Sequence, residues 1–152
     1  IGKEIAKKRG HDVIRIDVKP SIGNLLLWKL IYETEDEFYI DAIRLGWNPK
    51  VFKGESIDKI NTQTAFPWLV LKSQQAIDIE RFRWFSNGYI AINPKNKNQI
   101  LDIRYSAIPN QIGGLWGIEL SEEKPNNHHV RYITNRTISS DRLKIIKEML
   151  FY

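Results

Sequence analysis

The stretch NLLLWKLIYETEDEFYIDAIRLG, residues 24 to 46, constrains the fold more than any other. A long apolar run is followed by a polar reversal at Glu35, Asp36 and Glu37, and then by a second run rich in aromatic and β-branched residues. Strand-forming residues on both sides of a short acidic turn predict a β-hairpin. Upstream, VIRIDV at residues 13 to 18 alternates as a half-buried strand does, and Pro20 closes it. Downstream come YIAINP, QILDIRYS, LWGIELS and VRYITN, four short strands separated by turn chemistry at Asn93-Pro94, Pro109-Asn110, Gly113-Gly114 and Pro125-Asn126-Asn127. Neighbours joined by such short connections run antiparallel, because a parallel pair needs a crossover of about a dozen residues or more.

Helices are predicted at three places. FPWLVLKSQQAIDIERFRWFSNG, residues 66 to 88, fits one broken or two short helices, with Pro67 in a first-turn position and Asn87-Gly88 as the stop. Within it Ile79, Phe82 and Phe85 share a stripe, with Trp84 at its margin, which suits packing under a sheet or, alternatively, a stacking platform for single-stranded nucleic acid. SSDRLKIIKEMLFY, residues 139 to 152, opens on a serine cap and an acidic first turn and continues amphipathically. IGKEIAKKRGH reads as the last turns of a helix continuing from upstream and stopping at Gly10. A SIDKI stretch within residues 47 to 65 adds a weaker, short capped helix. The expected fold class is α+β: one domain over residues 1 to 152 with a curved, mostly antiparallel sheet of about six strands, helices on one face, and a C-terminal helix.

Length agrees with one domain, since 152 residues suffice to bury roughly two-thirds of the unfolded surface around one core. A hydrophobic share of 42% and a charged share of 27% are those of an ordinary globule. No apolar run approaches the roughly 20 residues that cross a bilayer, so the chain is expected to be soluble as given. There is no cysteine, which excludes disulfides, thiolate zinc sites and cysteine nucleophiles. A net charge of +5 permits nucleic acid or an anionic membrane surface without selecting either.

Few residues offer chemistry. His128 and His129 are adjacent, so on a strand they face opposite ways, and His11 stands alone; no chelating pair is spaced for a metal. Asp78, Glu80, Asp102, Glu119, Glu122 and Glu123 supply carboxylates for an acid and a base, or for exposed salt bridges. No phosphate-binding loop, dinucleotide fingerprint or nucleophile elbow occurs. Lys3, Lys7, Lys8 and Arg9 form a basic block, either a solvated helix face or a segment against anionic lipid headgroups. The other lysines and arginines are spread out, without the dense stripe of a nucleic-acid binder, so nucleic acid is not an expected partner.

Three motifs follow one another in residues 81 to 120: Phe85 to Tyr89 as F-S-x-G-Y, Asp102 to Pro109 as D-x-R-Y-S-x-x-P, and Trp116 to Ile118 as W-G-I. Upstream, Pro20, Asn24, Trp28 and Lys29 make P-x-x-x-N-x-x-x-W-[RK]. In this order they resemble the C-terminal soluble part of bacterial inner-membrane proteins of the metal-dependent hydrolase family (YdjM/YbcI-like), with AKKRGH matching the basic segment after the last membrane helix. The resemblance implies a membrane-bound parent that uses zinc or another divalent metal, held in a membrane-spanning half upstream of Ile1. This chain would then be its accessory domain at the inner membrane, with no cofactor of its own and that half as partner, and the positive-inside tendency of the basic block places it on the cytoplasmic side. It assigns no catalytic residue here. The residues themselves leave two readings of Asp102, Arg104, Trp28, Trp84 and Trp116: a buried ion pair with a tryptophan-rich core, or one pocket with Arg104 as anion anchor. An enzyme acting through its own carboxylates and a basic nucleic-acid module are the alternatives in other classes.

Overall fold

Eight strands and four helices follow one another along the chain in a computed structural model that describes residues 1–135 and 139–152. Helix α1 (Gly2–Lys8) precedes β1 (Arg15–Pro20), β2 (Leu27–Glu33), β3 (Glu37–Arg44) and β4 (Lys50–Asp58). Helices α2 (Thr62–Ala65) and α3 (Gln74–Phe85) lead to β5 (Ile90–Asn93), β6 (Asn96–Asp102), β7 (Trp116–Glu119) and β8 (Arg131–Thr134), and α4 (Ser140–Phe151) ends the chain.

All neighbouring strands are antiparallel, but they divide into two four-stranded sheets, β1-β2-β3-β4 and β5-β6-β7-β8. The expectation of one sheet of about six strands is corrected here. Residues 59 to 89, which carry α2 and α3, separate two meanders, so the second stacks on the first instead of extending it. Ile31, Phe38 and Ile40 of the first sheet meet Ala91 and Leu101 of the second, with Tyr89 and Ile103 beside them. The other face of the first sheet packs Leu30, Tyr32 and Ile43 against Ala6 of α1. The other face of the second packs Ile90, Ile100 and Ile118 against Ile79 and Phe82 of α3. Helices therefore cover opposite sides of the stacked sheets, not one face as expected. α4 closes a flank, with Met149 against Leu27, Ala42 and Ile108.

Local chemistry explains where elements begin and end. Ser73 and Ser139 cap α3 and α4 by accepting from the N–H groups of Ala76 and Arg142, and Asn61 caps α2 through Gln63 and Thr64. Residues 66 to 73 are not helical, contrary to expectation, because the cap at Ser73 starts the helix and Lys72 before it has φ 64°. Ser56, Ile57 and Asp58 of the SIDKI stretch belong to β4, which pairs with β3 over Ile57↔Phe38, so sheet pairing overrides the weak helical signal. β6 stops at Asp102, and the chain turns through Ile103 and Arg104 instead of continuing as a strand.

Close approach is most severe at Gly54 in β4, where an added Cβ would lie 2.2 Å from the carbonyl oxygens of both Ile40 and Asn110. Backbone atoms cannot yield as a side-chain end does. Gly54→Ala is expected to lower stability by roughly 3 kcal/mol or more in urea unfolding. Gly46→Ala, with nothing within 4 Å of the new Cβ, should change it by less than about 0.5 kcal/mol.

Candidate functional site

Asp102, at the end of β6, is fully buried and gathers four donors. The Arg104 side chain approaches it through Nε at 3.0 Å and Nη2 at 2.7 Å, the Arg104 backbone N–H donates at 3.1 Å, and Trp116 Nε1 donates at 3.0 Å. Arg104 Nη2 also donates to the Phe85 carbonyl at the end of α3, and its guanidinium lies over the Phe85 and Tyr105 rings. The structure thus brings together Asp102, Arg104 and Trp116, and this arrangement ties β6, β7 and α3 to one another. Arg104 answers an internal carboxylate, as a structural pair does. Because the turn starts at Ile103, the two residues meet across a turn and not along one strand face.

The three tryptophans do not share a cavity, which corrects that expectation. Trp116 lines a polar hollow of about 330 Å³ that includes Ser106, Gln111 and Gly114. Trp28 lines an apolar hollow of about 620 Å³ beside α1, with its Nε1 donating to the Leu25 carbonyl. Trp84 is 85% exposed on α3 and borders an open apolar groove of about 930 Å³ with Phe66, Leu69, Leu71 and Ile77. Of the aromatic stripe, Phe82 is buried and Phe85 half-exposed.

The basic block also divides. Lys3, Lys7 and Lys8 are exposed, whereas Arg9 turns inward and holds buried Asp41 through two nitrogens at 2.8 and 3.0 Å. Arg9 also donates to the Tyr32 hydroxyl, and His11 Nδ1 lies 2.8 Å from the same oxygen with its ring against Tyr39. His11 is therefore not alone. His129 Nδ1 lies 2.8 Å from Asp78 Oδ2, and the Val130 N–H donates to the same carboxylate. Burial alone would raise the Asp78 pKa, but Gln74, His129 and Val130 hold it below the usual value. Gln99 and Arg131 likewise lower that of Glu119, and Glu80 faces Arg83. These carboxylates each face their own partner and do not converge on one cleft; Glu122 and Glu123 are exposed. Among the described residues no group of three or more His, Cys, Asp or Glu could hold a metal ion.

Sequence reasoning missed Lys29 as a site residue. On β2 and 2% exposed, it donates from Nζ to Ser106 Oγ at 2.7 Å and to the Gln111 carbonyl at 3.1 Å, while Ser106 donates to the Ile108 carbonyl at 2.7 Å. Its signal was a lone charge inside an apolar strand. Burial pushes the Lys29 ammonium down to about 7, against the opposing pull of Asp102 and Glu55. As arranged, Lys29 is a donor that fastens residues 106 to 111 to the first sheet.

No protein-family model, curated protein or solved structure matches the chain.

Two stability measurements test these assignments. Arg104→Ala leaves a buried carboxylate without its cation and should cost about 3–5 kcal/mol, whereas removing both charges with Asp102→Asn and Arg104→Leu should cost distinctly less. Lys29 is charged in the unfolded chain up to about pH 10.4 but in the fold only up to about 7. Between these values the fold binds fewer protons, so stability rises with pH. Urea unfolding of the wild type should show a gain on the order of 1–3 kcal/mol across that window that Lys29→Met lacks.

Proposed function

We propose that this chain is a non-catalytic binding domain, the accessory part of a membrane-bound hydrolase dependent on zinc or another divalent metal, with the metal held in a membrane-spanning half upstream of Ile1. Its partner is that half, and its place is the cytoplasmic side of a bacterial inner membrane. The order of the motifs in residues 19–31 and 81–120 supports the family.

One observation carries the non-catalytic reading: the ionisable residues best placed for chemistry are occupied in holding the fold. Asp41 answers Arg9, Glu33 answers Arg15 and Lys59, and Asp102 answers Arg104. An enzyme working through this chain's own acids would need an acid and a base facing one cleft. What the surface offers instead is apolar, in the groove beside α3 where Leu71 and Trp84 are largely exposed.

Metal-dependent hydrolysis of phospholipid and phosphodiester substrates by the parent, with and without residues 1 to 152 and beside the isolated chain, tests this. Activity is expected only where the membrane-spanning half is present, and removal of the domain should change it. Turnover by the isolated chain would overturn the reading.

A further inference from the structure

We propose that one end of the first sheet is a bilayer-docking face, which seats Leu25, Leu26 and Trp47 in the headgroup region of an anionic membrane. The identity of that membrane rests on the membrane-bound reading above; the face itself rests on its own residues.

Antiparallel pairing brings the elements together. Pro20 pairs with Trp28, Leu27 with Arg44, and Arg44 with Lys50, so the β1–β2 loop at 21–26 and the β3–β4 loop at 45–49 emerge from the same end of the sheet. At their tips Trp47 is 103% and Leu25 77% exposed, and Ile22 and Leu26 are about half exposed. The end of α4 reaches the same place, because Arg44 donates to the carbonyls of Met149 and Leu150 and Lys50 to Tyr152. Phe151 and Tyr152 there are 70% and 84% exposed.

The first loop is braced from within. Asn24 Oδ1 accepts from the N–H groups of Leu26 and Leu27, the Leu45 N–H donates to the Leu26 carbonyl, and Trp28 Nε1 donates to the Leu25 carbonyl. With its backbone so engaged, the loop holds Leu25 and Leu26 outward. Aromatic and aliphatic side chains on projecting loops suit the bilayer interface, where apolar burial and attraction to anionic lipid add.

Charge complementarity selects the occupant. Neither loop contains an acidic residue. Lys50 and Lys3 stand exposed at the rim, and Arg44 is half-buried behind it. The acidic residues nearby are Glu4 on α1, next to Lys3, Glu148 on α4, next to Met149, and Asp17, which pairs with Lys19. This is a neutral, apolar tip within a basic rim that shares Lys3 with the basic block, whose Arg9 is committed to Asp41.

The test is co-sedimentation of the chain with vesicles of phosphatidylcholine alone and of an equal mixture with phosphatidylglycerol. Binding is expected to the mixed vesicles, weaker to the neutral ones, and reduced by salt. Leu25→Ser with Trp47→Ser should weaken it roughly tenfold or more while circular dichroism and the thermal midpoint stay unchanged, since both side chains are exposed. Trp84→Ser, on α3, should leave binding intact. No vesicle binding, equal binding by the loop variant, or equal loss in Trp84→Ser would overturn the proposal, as would a dimer that the loop variant abolishes in a chain that ignores vesicles. The readout is lipid binding by the chain itself, so failure of the hydrolase assay would not disturb it, and failure here would leave that assay standing.

Discussion

Burial of β2 on both faces is the constraint from which the rest of the structure follows. Leu30 and Tyr32 lie under α1, Ile31 meets the second sheet, and Leu27 meets α4. A strand enclosed in this way needs covering layers on each side, and the stacked second sheet and α1 supply them. Enclosure also takes Lys29 and Glu33 out of water, so each requires partners within the protein. Glu33 has Arg15 and Lys59, which hold its pKa low against the opposing effect of burial. Among the described residues Lys29 has a hydroxyl and a carbonyl as direct partners, and burial lowers its pKa.

The same demand shapes the other buried charges. Asp41 and Asp102 are both fully buried, and each is held by an arginine through two nitrogens and by a backbone N–H as well. Such pairs join separate parts of the chain: Arg9 anchors the end of α1 to β3, and Arg104 fastens the β6 turn to α3. Removing one partner is costly because the other charge stays buried, so these residues are committed to the architecture. Of the large hydrophobic side chains, Trp47, Trp84, Tyr152 and Leu25 are the most exposed.

Much of this was legible along the chain. The 24–46 hairpin, the antiparallel meander after residue 89, the stop at Gly10 and the serine cap at 139 all depend on neighbours in sequence, and the structure has them. The Asp102–Arg104 contact was also readable, being two residues apart, although its setting in a turn was not. The β4 strand escaped notice because its residues, KVFKGESID, gain their strand form from β3 beside them. The inward turn of Arg9 was hidden among lysines of the same charge, and the lone Lys29 in an apolar strand was a visible signal whose partner lay far along the chain.

Periodicity, turn residues and caps are local, and they determined most of the element types, the antiparallel sense and the α+β class, while β4 and the non-helical stretch 66 to 73 were not among them. Whether the strands form one sheet or two, which tryptophan faces which hollow, and which carboxylate meets which cation were decided only in the tertiary structure. The physical reason is that stacking and ion pairing join residues tens of positions apart. Ser106 answers Lys29 and Asp78 answers His129 through packing geometry, which no spacing in the chain encodes.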